Sequence, residues 1–114
     1  GHKKLILWDK IKILVKEVYR ITNKFPPSEK FSLIIQMRRA AISVASNISE
    51  GASRSSKKER KRFFEISRSS LVELDTQLEL ALVLDFLKKE DDIEILGSII
   101  NETFAMISAM MKNA

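Results

Sequence analysis

Apolar side chains recur along this chain in alternating four- and three-residue steps, the spacing that gathers them on one face of an α-helix. Leu7, Ile11, Leu14, Val18, Ile21 and Phe25 form the first such seam without a break and predict a helix over 5–24, ended by Pro26-Pro27. The next stretch, Gln36 to Gly51, carries two ridges side by side. Met37, Ala41, Val44 and Ile48 make an apolar ridge, and Gln36, Arg39, Ser43, Asn47 and Glu50 make a polar one on a neighbouring face. Ala40, Ala41, Ser43, Ala45 and Ser46 leave room for another backbone to approach, as in the central helix of a packed bundle. Ser28 as N-cap, Glu29 in the first turn and Gly51 as a C′ stop set this helix at 28–50.

Ser56-Lys57-Lys58-Glu59 has the form of a capping box and opens a third helix over 56–88, roughly 45 Å long. Phe63, Ile66, Ser70, Leu74, Leu78, Ala81 and Phe86 are expected on its core side. Phe64, Leu71, Leu80, Leu82, Val83, Leu84 and Leu87 spread further apolar surface, nearly all round the C-terminal half. A bundle helix needs to bury one stripe, so the excess predicts contact with a second subunit. A fourth helix, 91–112, starts with Asp91 and Glu94 at capping-box spacing and carries Ile93, Leu96, Ile100, Thr103, Ile107 and Met110. Gly97 interrupts it at about 1 kcal/mol relative to Ala, pointing to a close packing contact or a loose first turn. Trp8, beside the first seam with Val15, offers a second contact surface.

Three short connections make each helix antiparallel to the next. The fold class expected is all-α, an antiparallel up-down-up-down four-helix bundle in one domain, 1–114. The turn between the second and third helices then shares an end with both chain termini.

Charge sharpens that picture. The net charge is +5. Residues 53–62 alone account for it, with Arg54, Lys57, Lys58, Arg60, Lys61 and Arg62 against Glu59. Residues 73–102 carry nine acidic groups against Lys88 and Lys89, so the chain is polarised along its length, with Glu90, Asp91, Asp92 and Glu94 at the far end. Lys3, Lys4 and Lys112 add to the basic end.

Candidate chemistry is sparse. No cysteine and one histidine, His2, leave no nucleophile–base system, so no catalytic residue is assigned. The three glycines are isolated, which excludes a glycine-rich phosphate loop. Glu73, Asp75 and Glu79 lack a Glu-x-x-His partner, so neither a metal site nor a cofactor is expected. No apolar run reaches the length of a membrane span, and the absence of cysteine fits a reducing compartment, giving a cytoplasmic, non-membrane expectation. The basic run at Arg54, Lys57, Lys58, Arg60, Lys61 and Arg62 is dense enough to meet phosphates, with Phe63 or Phe64 as base-stacking candidates, although both also suit the core. As alternatives it is a solvated turn, or it meets an acidic end or an acidic protein partner, as an accessory subunit of a nucleic-acid enzyme would, or the bundle is a purely structural oligomer. Glu50 in a helix's last turn calls for a cation, Arg54 or Arg39, and the polar ridge for a hydrogen-bond network with Ser67, Ser70 or Gln77.

Gln-Met-Arg-Arg-Ala-Ala-Ile-Ser-Val-Ala-Ser-Asn-Ile-Ser-Glu-Gly over 36–51, followed by Arg54, Glu59, Phe63-Phe64 and Ser69-Ser70-Leu71-x-Glu73-Leu74-x-x-Gln77-Leu78, resembles the bacterial 23S rRNA intervening-sequence proteins, also labelled S23 ribosomal proteins. The resemblance covers nearly the whole chain. It departs at Ala45, where proline is typical, which straightens the second helix, and at Ser69, where glycine is common. It implies a homo-oligomeric four-helix bundle, a homopentamer ring, and similarity to the accessory protein of diversity-generating retroelements, which partners a reverse transcriptase and nucleic acid. Its motif marks Arg38, Arg39, Asn47, Glu50, Gly51 and Glu59, together with Arg54, as a functional patch.

Overall fold

The computed structural model describes residues 1–88 and 93–113. It is all-helical, with four α-helices and no strand among the described residues: α1 (His2–Thr22), α2 (Leu33–Ala52), α3 (Lys57–Val83) and α4 (Glu94–Lys112). A single 3-10 turn, Pro27–Glu29, lies between α1 and α2.

α1 begins three residues before the expected 5, since nothing in His2-Lys3-Lys4 breaks a helix, and ends at Thr22 rather than 24. Its close is a tightening of the coil: Lys24 N–H donates to the Ile21 carbonyl and Phe25 N–H to that of Thr22. Phe25 thereby leaves the helix yet stays buried, its ring centroid 5.7 Å from that of Phe86. Ser28 is no N-cap. It sits in the 3-10 turn that Pro27 nucleates, and α2 starts five residues later than expected, where Glu29 rather than Ser28 supplies the cap: its carboxylate accepts from the Leu33 N–H at 3.4 Å and from the Ser32 hydroxyl at 3.0 Å.

Gly51 does not stop α2. It is helical and buried, and the helix runs to Ala52, closed by Ser53, whose hydroxyl donates to the Glu50 carbonyl at 2.7 Å. The reason for glycine is space. A Cβ at position 51 would lie 2.8 Å from Phe64 Cε1 and 3.1 Å from Phe63 Cβ, so α2 and α3 touch there through a missing side chain.

α3 shows one half of the expected capping box, the Glu59 N–H donating to the Ser56 hydroxyl at 3.2 Å, without the return bond from the Ser56 N–H to the Glu59 carboxylate. It ends at Val83, short of 88, and is about 40 Å long. Its end is a Schellman turn: Phe86 N–H donates to the Ala81 carbonyl and Asp85 N–H to that of Leu82, with Asp85 left-handed at φ 60°. Asp tolerates that conformation better than most side chains. The reversal carries Phe86 and Leu87 back onto the core. The expected start of α4 at 91, the Asp91–Glu94 box and the acidic end at Glu90, Asp91 and Asp92 lie outside the described residues, and α4 is seen from Glu94. Gly97 has nothing within 4 Å of a built Cβ, which removes the close-packing explanation for it.

α2 packs most extensively on α3; α1 packs on α2 and α4, and α3 on α4. The first seam is realised in full: Leu7, Ile11, Leu14, Val18 and Ile21 are inaccessible to solvent. α3 corrects its expected face. Phe64, Ser67, Leu71, Leu74, Leu78 and Ala81 point inward, whereas Ile66 is exposed and Phe63 half-buried. Steps of three and four from Leu74 reach both phenylalanines, and packing decides between them: Phe64 fills the space that Gly51 leaves, while Phe63 lies under the Arg54 guanidinium. Leu80, Val83 and Leu84 stand exposed at the C-terminal end of α3, at 46%, 71% and 54%.

Candidate functional site

The turn between α2 and α3 is built by two of its arginines. The Arg54 guanidinium donates to the Glu50 carboxylate at 2.9 Å, one helical turn earlier, and lies 4.9 Å from the centroid of the Phe63 ring. Arg60 reaches back from α3, its Nη1 donating to the Ser55 carbonyl at 2.7 Å and the Arg54 carbonyl at 3.1 Å. Backbone acceptors that the turn leaves open are thus satisfied by a cation, and the turn acquires a fixed shape.

Lys57, Lys58, Lys61 and Arg62 behave differently. All four are exposed, and among the described residues none has an acidic partner. They occupy the first two turns of α3; in the first, where unpaired N–H groups already make the helix end positive, Lys57 and Lys58 each cost on the order of 0.3–1 kcal/mol instead of contributing it. Glu59 alone opposes them. The six basic residues therefore divide into two that shape the turn and four that hold free charge, two of these in the first turn of a helix, where a cation is unfavourable.

Two adjoining recesses open at the same end. A groove of about 900 Å³ is bounded by Lys3 and Lys4 of α1, Arg60 and Phe64 of α3, and Met106 and Met110 of α4. The N-terminal lysines, the start of α3 and the end of α4 thus meet at one end, as the sequence suggested. A smaller crevice, about 430 Å³, is walled by Leu5 and Trp8 of α1, Ile48 and Ala52 of α2, Phe64 and Met110. Phe64 is a core residue, 2% exposed, and Phe63 lies beneath Arg54, so neither is a free stacking platform. Trp8 also belongs to this end, and its only signal in the sequence is a position beside the first seam.

The motif residues do not form one patch. Arg38 clasps α1 to α2 at the far end of α2: its Nε donates to the Thr22 hydroxyl and its Nη2 to Asn23 Oδ1, both at 3.0 Å, with the guanidinium 4.4 Å from the Tyr19 ring centroid. Asn47 belongs to the α2–α3 seam. Its Nδ2 donates to the Ser43 carbonyl at 2.9 Å; Ser43 and Ser70 share a hydrogen bond of 2.8 Å, and the Ser67 hydroxyl donates to the Val44 carbonyl. The expected network with Ser67 and Ser70 is present, while Gln77 turns to Glu73 instead, at 3.1 Å. Glu50, Gly51 and Glu59 sit at the turn with Arg54, and Arg39 is exposed, leaving Arg54 to compensate Glu50.

No cluster of His, Cys, Asp or Glu able to hold a metal occurs among the described residues, and no helix there is long and apolar enough to cross a membrane. No match was found among curated proteins. A crystal structure of a protein of unknown function from the S23 ribosomal protein family of Bacteroides thetaiotaomicron VPI-5482 shares the fold, with a TM-score of 0.85 at 19% identity over 96% of this chain and 98% of that one. The sequence profile of the 23S rRNA-intervening sequence proteins matches residues 3–109. With that match over nearly its whole length, the chain belongs to the 23S rRNA-intervening sequence protein family.

Proposed function

We propose that this protein is a non-enzymatic, cytoplasmic RNA-binding bundle of up-down-up-down topology that grips phosphates through its basic end. The observation that carries the reading is the placement of Lys57, Lys58, Lys61 and Arg62, unpaired among the described residues, on the first two turns of α3, with Lys57 and Lys58 at its positive pole. Solubility alone needs no such placement, because the same charges at a helix C-terminus would add stability. An anion bound there relieves both the side-chain repulsion and the exposed N–H groups. With base-edge reading motifs absent from the sequence, recognition rests on backbone and shape. The test is fluorescence anisotropy of a labelled structured RNA titrated with the protein and with a variant carrying Ala at these four positions: binding by the first and not the second supports the proposal, and equal binding removes it.

The exposed Leu80, Val83 and Leu84 support self-association through the C-terminal end of α3, and the family resemblance supports a pentameric ring. Apolar burial drives such an assembly, so light scattering should show an oligomer that persists at high salt. A monomer at all concentrations would refute it.

A further inference from the structure

The crevice beside Trp8 is a cavity that the phosphate-binding reading leaves unused. Its walls come from all four helices: Leu5 and Trp8, Ile48 and Ala52, Phe64, and Met110. At about 430 Å³ it falls in the size range of small-molecule sites, and its lining is apolar but for Lys4 and Ser49. Trp8 lines the crevice and is 39% exposed. Lys4, Phe64 and Met110 also line the larger groove, so the two recesses adjoin and share walls. Lys3, Lys4 and Arg60 line the adjoining groove, and Lys57 and Lys61 flank Arg60 on the same turns of α3.

We infer that this crevice receives an unstacked base of single-stranded RNA, with Trp8 as its stacking platform and the cations of the groove on the flanking phosphates. The charge distribution decides between occupants. An apolar molecule with a single carboxylate needs one cation at the mouth, whereas here a series of cations continues from the mouth onto α3, matching a chain of phosphates. An aromatic face combined with a cationic track is how sequence-tolerant single-strand binding is built, because every base has a face to stack. Paired bases within a duplex are not free to enter, so the crevice selects unpaired segments. The inference rests on the phosphate-binding reading above and adds to it the class of nucleic acid.

Trp8 is the chain's only tryptophan, so its emission reports on the crevice alone. The experiment follows two signals in one titration, anisotropy of a labelled uridine-rich single-stranded RNA and quenching of Trp8 fluorescence, with an abasic strand of equal length as the second probe. The expected result is binding of both strands, quenching by the base-bearing strand only, and about tenfold weaker binding of that strand by Trp8→Leu, with Trp8→Phe restoring most of the affinity. Far-UV circular dichroism of both variants checks that the helices are intact. Binding without quenching, or equal quenching by the abasic strand, overturns the inference while leaving the phosphate reading in place; if neither strand changes the anisotropy, both fall together. Quenching by laurate at concentrations where the RNA has no effect would assign the crevice to an amphiphile and overturn it. A shift of Trp8 emission with protein concentration alone would do the same, because a second copy then covers the site.

Discussion

Two glycines in this chain should respond to alanine with opposite signs, and the difference measures how tightly α2 meets α3. At Gly97 a Cβ meets nothing within 4 Å, and at Gly51 it would meet the Phe64 ring at 2.8 and 2.9 Å and Phe63 Cβ at 3.1 Å. Both positions are helical, so both substitutions gain the same intrinsic preference, about 1 kcal/mol. Gly97→Ala should realise that gain. In Gly51→Ala it is opposed by overpacking against a ring that is 2% exposed, a cost of about 1–3 kcal/mol. Since the helix term is common, the difference between the variants is the overpacking term itself. With a urea dependence of about 1–3 kcal/mol per molar, the unfolding midpoints should separate by roughly 1 M, Gly97→Ala above the parent and Gly51→Ala at or below it. The assay is urea unfolding followed by far-UV circular dichroism at one fixed protein concentration, so that any association affects all three proteins equally. Equal gains from both substitutions would refute the close approach and with it the explanation for glycine at position 51.

Other consequences follow from individual contacts. Lys57→Glu and Lys58→Glu should each stabilise the protein at low salt, by about 0.3–1 kcal/mol, by placing anions at the positive end of α3, while weakening RNA binding; thermal unfolding and anisotropy on the same samples separate the two effects. Ser56→Ala removes the hydroxyl that accepts from the Glu59 N–H and should cost about 1 kcal/mol in urea unfolding, and Ser56→Asp should retain the cap. Thr103 is inaccessible to solvent and its hydroxyl has no partner among the described residues, so Thr103→Val should raise stability by about 1 kcal/mol; a loss would show that the hydroxyl is bonded.

What could be read from the sequence follows the strength of each local signal. The α1 seam was legible because five strongly apolar residues keep one phase over four turns, and the α3 start because Ser56 and Glu59 combine a cap with a charge preference. Signals with two physical meanings were misread. Gly51 has the form of a helix stop, but its lack of a Cβ serves a neighbouring helix. Ser28 has the form of a cap, but Pro27 favours a 3-10 turn there and hands the cap to Glu29. The apolar run Leu82-Val83-Leu84 reads as continued helix, while the Schellman turn at Asp85 depends on Phe86 finding Phe25 across the bundle, a contact that no local pattern announces. The basic run was plain as composition. Its division into turn-building Arg54 and Arg60 and four free cations needed the hydrogen bonds, and the crevice at Trp8 needed all four helices in place.

The central claim is that the free cations of α3 meet phosphates, and salt dependence tests it most directly. Each neutralised phosphate releases counterions, so the logarithm of the binding constant for a structured RNA should fall linearly with the logarithm of salt, and replacing Lys57, Lys58, Lys61 and Arg62 by Ala should lower that slope by about one unit per lost contact. A steep slope in the native protein that flattens in the variant is the result this account predicts. A slope unchanged by the four substitutions, or no binding at low salt, would contradict it.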